Sequence, residues 1–250
     1  MTLRFAPFFF LLAFSLHADE AESLFQQANQ QYEAGNFQQA AATYEKILAA
    51  GKANWQVYYN LGNAYYKQKR VGKAIISYER ARRLNRDNED IDFNLDLANL
   101  SVADRIAAMP RSLAVVWLDN AIHFFTIEAA AMVMLIFWVL LFIGAVIWML
   151  ARREFLQRWG RRLVWAAGAL WLLFMLIFGV LAYERATVQE GIVLASRVVV
   201  RSSPAEDATE MFILHEGVKV RLQERSGDWQ RLKLADGKVG WLEATAVEKI

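Results

Sequence analysis

Three stretches of the chain run apolar without a break, and the remainder follows one of two periods. The first stretch, Ala6 to Leu16, comes after Arg4 and before His17-Ala18 and an acidic run. A basic start, about a dozen apolar residues and a small residue at the end predict a secretory leader over residues 1–18; a retained anchor helix is the alternative. The second and third stretches, Ala129 to Leu150 and Leu163 to Tyr183, hold no charged residue. At about 1.5 Å per residue each helix would be roughly 30 Å long, the thickness of a bilayer core. Transmembrane helices are therefore predicted over 128–150 and 163–183. Trp148, Trp165, Trp171 and Tyr183 fall partly near the ends, where interfacial aromatics belong. The segment between, residues 151–162, is expected to be a basic loop, with Arg152, Arg153, Arg158, Arg161 and Arg162 against Glu154. Short basic loops stay in the cytoplasm. Both flanking regions then lie outside, the side to which a leader would send them.

Between residues 21 and 88 the pattern repeats with a helical period. Ala28 aligns with Gly62, Tyr32 with Tyr66, Ala40 with Ala74 and Tyr44 with Tyr78, each pair 34 residues apart. Small residues suit places where paired helices cross closely, and the aromatics, with Phe37, suit the space between helices. Residues 21–54 and 55–88 are read as two helix pairs. Residues 89–105 are read as a further helix, with Ile91, Leu95, Ala98 and Val102 on one face, capping an all-α domain over 19–108. The second repeat resembles the tetratricopeptide repeat, with Tyr58, Leu61-Gly62, Tyr65, Ala74, Tyr78 and Ala81 at signature positions. Arg86 replaces the usual proline, and Gln27 and Gln31 replace apolar signature residues in the first repeat. The resemblance implies a concave groove for a peptide or protein, lined by Phe25, Asn29, Asn60, Asn63 and Tyr66. Asn29 and Asn60 match the asparagines of the carboxylate-clamp subgroup. Its basic positions hold Phe25, Asp90 and Asn94, so a clamp is not expected.

Residues 109–127 form a membrane-proximal segment. Pro110 stops the preceding helix, and Leu113 to Phe125 reads as an amphipathic helix at the headgroup surface, interrupted by Asp119, Asn120 and His123. A loose linker is the alternative, and His123 reads as a polar tip.

Beyond Tyr183 the period changes to two. Val198-Val199-Val200, Lys219 to Leu222, Trp229 to Leu234 and Lys238 to Leu242 alternate between turn signals at Ser202-Ser203-Pro204, Ser226-Gly227-Asp228 and Asp236-Gly237. Short strands with an Asp-Gly hairpin predict a small all-β barrel over 184–250. The region resembles the bacterial SH3-type domain through Val200-Arg201-Ser202-Ser203-Pro204, Leu214-His215-Glu216-Gly217, Gly227-Asp228-Trp229 and Gly240-Trp241-Leu242. Trp241 is expected to fill the core. Trp229 is read either as core or as the wall of a ligand groove.

Charge and composition narrow the function. Lys+Arg 28 against Asp+Glu 26 gives +2, too little to drive nucleic-acid binding. The hydrophobic share of 56% exceeds the roughly 45–50% of soluble domains, and the three apolar stretches account for it. Cysteine is absent, which excludes disulfide scaffolds, thiol nucleophiles and cysteine-held metals. The three histidines lie far apart, and no phosphate loop, dinucleotide fingerprint or nucleophile elbow occurs. Neither uncharged stretch, 129–150 or 163–183, holds an acid to relay protons. No enzyme activity, cofactor or metal is expected.

The order of leader, tetratricopeptide repeats, two spans and SH3-type domain resembles the BatE-type proteins of the bacterial aerotolerance (Bat) group. That resemblance implies an inner-membrane protein with both large modules in the periplasm. It also implies von Willebrand-type Bat membrane proteins as partners, a MoxR-type ATPase as an indirect one, and a role in envelope stress. The expectation is a multidomain membrane scaffold; the alternative is a sensor or tether that binds peptidoglycan through the SH3-like domain.

Overall fold

The structure, a computed structural model, describes the backbone from Ala6 to Ile250 and the side chains from Glu20 onward. Residues 1–5 of the expected leader lie outside the described residues, and the rest of it outside the described side chains. Two compact units result: the helical region up to Ala108 together with Glu190–Ile250, and Met109–Gln189.

In the first unit five helices follow in order: α1 (Ala6–Glu33), α2 (Phe37–Ala49), α3 (Trp55–Lys67), α4 (Val71–Leu84) and α5 (Glu89–Leu100). The 34-residue period is carried by the ends of the helices as well as by their faces. Asn54 caps α3 by accepting from the Val57 amide at 2.8 Å, and Asn88 caps α5 by accepting from Ile91 at 3.1 Å. The turn after α1 takes Gly35 at φ +79°; the same turn one repeat later uses Lys69 at φ +62°, which costs a residue with a Cβ about 1–2 kcal/mol. Ala40, Ala74, Tyr44 and Tyr78 are all buried. Gly62 is where Tyr78 needs room, since a Cβ there would stand 2.6 Å from the ring. α5 stops at Leu100, short of the expected end at Arg105. Ile91, Leu95 and Ala98 face the repeats, whereas Val102 and Ile106 leave the helix line and join the apolar cluster of the sheet.

The sheet comprises β1 (Gln189–Val193), β2 (Arg197–Arg201), β3 (Glu210–His215), β4 (Lys219–Ser226), β5 (Trp229–Lys233), β6 (Val239–Glu243) and β7 (Val247–Lys249). It is a seven-stranded antiparallel sheet of order β3-β2-β6-β5-β4-β1-β7. β3 and β7 end it, and closure into the expected barrel is not among the described pairings. The Asp236-Gly237 turn joins β5 to β6, with Gly237 at φ +89° and Arg231 opposite Trp241. Val193, Val200, Val220, Leu232 and Leu242 form the apolar centre. Trp241 stays half-buried outside that centre.

The sheet is seated on the repeats. Ile192, Leu194 and Ile250 enter the apolar cluster of the helices. The Gly72 amide on α4 donates to Glu216 Oε1 at 2.9 Å, and a Cβ on Gly72 would lie 2.9 Å from Glu216 Cγ. Glu79, with its side chain 7% exposed, is held by Arg82 at 2.7 Å and by Lys219 of the sheet at 2.9 Å. Arg80 pairs with Glu248 at 2.9 Å, and Asp104 takes hydrogen bonds from the His215 amide and ring. A carboxylate buried this far needs those cations, because an unpaired one would titrate rather than fold.

The second unit holds α6 (Leu113–His123), α7 (Ile127–Leu150) and α8 (Glu154–Thr187). α7 and α8 are long and apolar enough to cross a membrane. The elbow between them differs from the sequence expectation. Only Ala151 to Arg153 are non-helical; Arg158, Arg161 and Arg162 lie on the first turns of α8. Nothing between Glu154 and Leu163 breaks a helix except Gly160. That glycine is used for packing, since a Cβ there would meet the Trp148 amide nitrogen at 2.6 Å and the Gly144 oxygen at 2.9 Å.

Candidate functional site

The groove residues read from sequence form two repeated hydrogen-bond sets. Tyr44 donates its hydroxyl to Asn29 Oδ1 at 2.5 Å, and Asn60 Nδ2 donates to the same oxygen at 3.1 Å. One repeat later Tyr78 donates to Asn63 Oδ1 at 2.7 Å, and Asn94 Nδ2 donates to that oxygen at 3.0 Å. Asn94 reaches Tyr59 as well, at 2.8 Å. Burial pushes the Tyr44 phenol up to about 12 and raises Tyr78 further, so both hydroxyls remain donors at any physiological pH. Each set leaves free groups among the described residues: Nδ2 of Asn29 and Asn63 as donors, and Oδ1 of Asn60 and Asn94 as acceptors. Donors and acceptors of this kind match the N–H and C=O groups that an extended peptide presents.

Asn29, Asn60 and Asn63 line one cavity with Tyr32, Glu33 and Tyr44, about 310 Å³ in volume. Phe25 does not join them. It packs against Tyr44 and borders a neighbouring cavity with Lys52 and Asn54. Tyr66 lies half-buried against the apolar cluster. Asn94, named from sequence only as the occupant of a clamp position, joins the second set, 34 residues after Asn60. Glu33 adds a carboxylate to the cavity wall.

On the sheet, Trp229 is half-buried and walls a cavity of about 460 Å³ with Glu206, Arg225, Asp228 and Glu243. Trp241 is not part of it. Among the described residues, no group of three His, Asp or Glu is placed to hold a metal ion.

In the second unit His123 is more than a polar tip. Its Nδ1 lies 2.8 Å from the Asp119 main-chain oxygen and its Nε2 2.8 Å from Glu184 Oε2 on α8. A neutral ring has one N–H and satisfies only one of these acceptors. The hydrogen bond to Asp119, and then that to Glu184, raises the pKa of the ring above its ordinary value. Arg111 stands 3.2 Å from Asp119, and Arg185 pairs with Glu128 at 3.1 Å beside Glu184. The α6–α8 clasp is therefore fully present below about pH 6.5 and is lost as pH rises through the raised value. Measured against His123→Gln at the same pH, which cancels the protease's own pH dependence, chymotryptic cleavage of the parent chain at Trp117 and Leu118 is expected to be slower in mild acid and equal in mild alkali. A parent-to-variant ratio that does not change with pH would refute the clasp.

Comparisons with known proteins agree with the modules. A family model described as tetratricopeptide repeat matches residues 25–89, and one described as bacterial SH3 domain matches residues 195–249. No curated protein matches the chain in sequence. Among solved structures, the chain is similar to the type III secretion translocator chaperone SycD of Yersinia enterocolitica. The identity is 15%, over 61% of this chain and 90% of that one, with a TM-score of 0.32. The same chaperone in complex with a peptide of the translocator YopD gives 14% identity, over 60% of this chain and 94% of that one, with a TM-score of 0.32. So loose a superposition bears no weight for function. The two matched modules are typically non-catalytic and serve protein interaction, and together they suggest a protein-binding adaptor. The two apolar helices are consistent with a membrane protein.

Proposed function

We propose that the chain is a non-enzymatic inner-membrane adaptor whose repeats hold an extended segment of a partner protein. The observation that carries this reading is the repeated Tyr–Asn–Asn set. It spends one amide group of each asparagine on fixing the array and leaves the other without a partner among the described residues; in this reading that group meets the bound segment. Main-chain recognition of this kind tolerates many sequences, and Glu33 favours a basic residue nearby.

The topology supports the same reading. Contacts between the repeats and the sheet favour a reading in which both lie on one side of a membrane, with the two apolar helices between them returning the chain to that side. With Arg152, Arg153, Arg158, Arg161 and Arg162 at the elbow, the positive-inside rule puts that side in the periplasm. The order of modules fits a BatE-type member of a Bat complex, with von Willebrand-type membrane proteins as direct partners and a MoxR-type ATPase as an indirect one. A second reading, a peptidoglycan tether, is favoured only by the Trp229 cavity.

Co-purification from gently solubilised membranes tests the adaptor. The parent chain should recover a stoichiometric partner, and Asn29→Ala with Asn60→Ala should weaken the complex about tenfold, the worth of roughly 1.4 kcal/mol. Recovery of the chain alone in several detergents would count against it. Retention on purified peptidoglycan that is lost with Trp229→Ala would favour the tether instead.

A further inference from the structure

The array stops halfway through a third repeat. α5 continues the period of α3: Val57, Tyr59, Asn60, Leu61 and Ala64 recur 34 residues on as Ile91, Phe93, Asn94, Leu95 and Ala98. In each complete repeat, the aromatic of the first helix stands against the tyrosine of the second. Phe25 and Tyr44 have ring centroids 6.0 Å apart, and so do Tyr59 and Tyr78. Phe93 is the third of this series and has no such partner, because residues 101–108 contain no helix. Its side chain is 69% exposed, and Leu97 and Leu100 are exposed beside it, one and two turns along. One repeat earlier the last two positions hold Asn63, which lines the cavity, and Tyr66. The end face is thus more apolar than the same face one repeat earlier, the reverse of the polar outer face that ends a solenoid.

Charge indicates what covers it. Ala28 and Gly62, the small residues beside the second helix, are followed in the series by Asp96. Glu89, Asp90 and Asp96 are exposed and make no ion pair among the described residues; Asp92, on the same helix, lies 3.9 Å from Arg82. A second copy of the chain would bring these carboxylates face to face, and an anionic lipid surface would repel them. We propose that an amphipathic helix of a partner protein, with Lys or Arg beside its apolar stripe, docks on Phe93, Leu97 and Leu100 and completes the third repeat. It takes the place that α4 takes beside α3. It stands farther out than α4 does, because Asp96 replaces the glycine, and one of its cations meets that carboxylate.

The test uses the full chain in nanodiscs and a labelled peptide copying Val71–Leu84, the helix that covers Tyr59 and that carries Lys73, Arg80, Arg82 and Arg83 against Glu79. Phe93→Ser with Leu97→Ser should weaken its binding about tenfold or more in fluorescence anisotropy. Asp96→Lys should weaken it too, as should glutamine in place of the four basic residues of the peptide. Asn29→Ala with Asn60→Ala should leave it unchanged, which separates this face from the groove. Both serines replace exposed side chains, so the fold is retained. No binding, or binding indifferent to Phe93→Ser with Leu97→Ser, would overturn the proposal. So would disulfide-linked dimers of Phe93→Cys in dilute vesicles, which would assign the face to a second copy in a chain otherwise free of cysteine.

Discussion

Tyr78→Ala will unfold the repeat region at far lower denaturant, with an expected loss of about 3–5 kcal/mol. The ring is 1% exposed and fills the space opened by Gly62. It also meets Tyr59 and donates its hydroxyl to Asn63. Alanine removes all of this at once, and the surrounding helices cannot close the void without losing the hydrogen-bond set of the groove. Tyr78→Phe keeps the volume and gives up one hydrogen bond, about 1 kcal/mol. Hydrogen exchange of the α3 and α4 amides in rising urea reads both values in the intact chain. A loss below about 1 kcal/mol for the alanine variant would mean that the ring does not hold the two helices together.

Gly160→Leu will part the two long helices of the second unit. A Cβ at this position would stand 2.6 Å from a main-chain nitrogen and 3.0 Å from Trp148 Cα, so the obstacle is backbone and cannot turn aside. Overpacking costs about 1–3 kcal/mol, and the closed-to-open ratio falls roughly thirtyfold at the middle of that range. Gly179→Leu is the matched control, because a Cβ there meets nothing within 4 Å. With no native cysteine, disulfide formation between Phe137→Cys and Phe174→Cys, whose rings lie 5.9 Å apart, reports closure directly. Equal cross-linking in the Gly160 and Gly179 variants would contradict the close crossing.

Where residue type and period act locally, the sequence was sufficient. The 34-residue spacing found the tyrosines that fill the repeats, and the Asp-Gly pair found the β5–β6 turn. Asn29, Asn60 and Asn63 line one cavity, whereas Phe25 borders a different one. What stayed hidden depends on partners far along the chain. Glu79 carries no local sign of a distant partner, yet it is buried beneath Lys219, 140 residues away. Gly72 carries no sequence sign that the sheet will rest on it. Val102 fits the apolar face of a longer α5, but the helix ends before it and it packs against both the helical and the sheet clusters. His123 read as an isolated ring because Glu184, 61 residues later, was not in view. The arginines after Glu154 suggested a loop by their charge, whereas helix formation is indifferent to that charge and only the short elbow breaks it.

The seating of the sheet on α4 imposes an order on synthesis. The ribosome finishes the repeats long before it makes Lys219, so the Glu79 carboxylate and the Gly72 amide lack their sheet partners until the chain has been made almost to its end. Until then Glu79 keeps Arg82 alone, and the α4 surface stays uncovered. Only the nearly finished polypeptide can shut that interface.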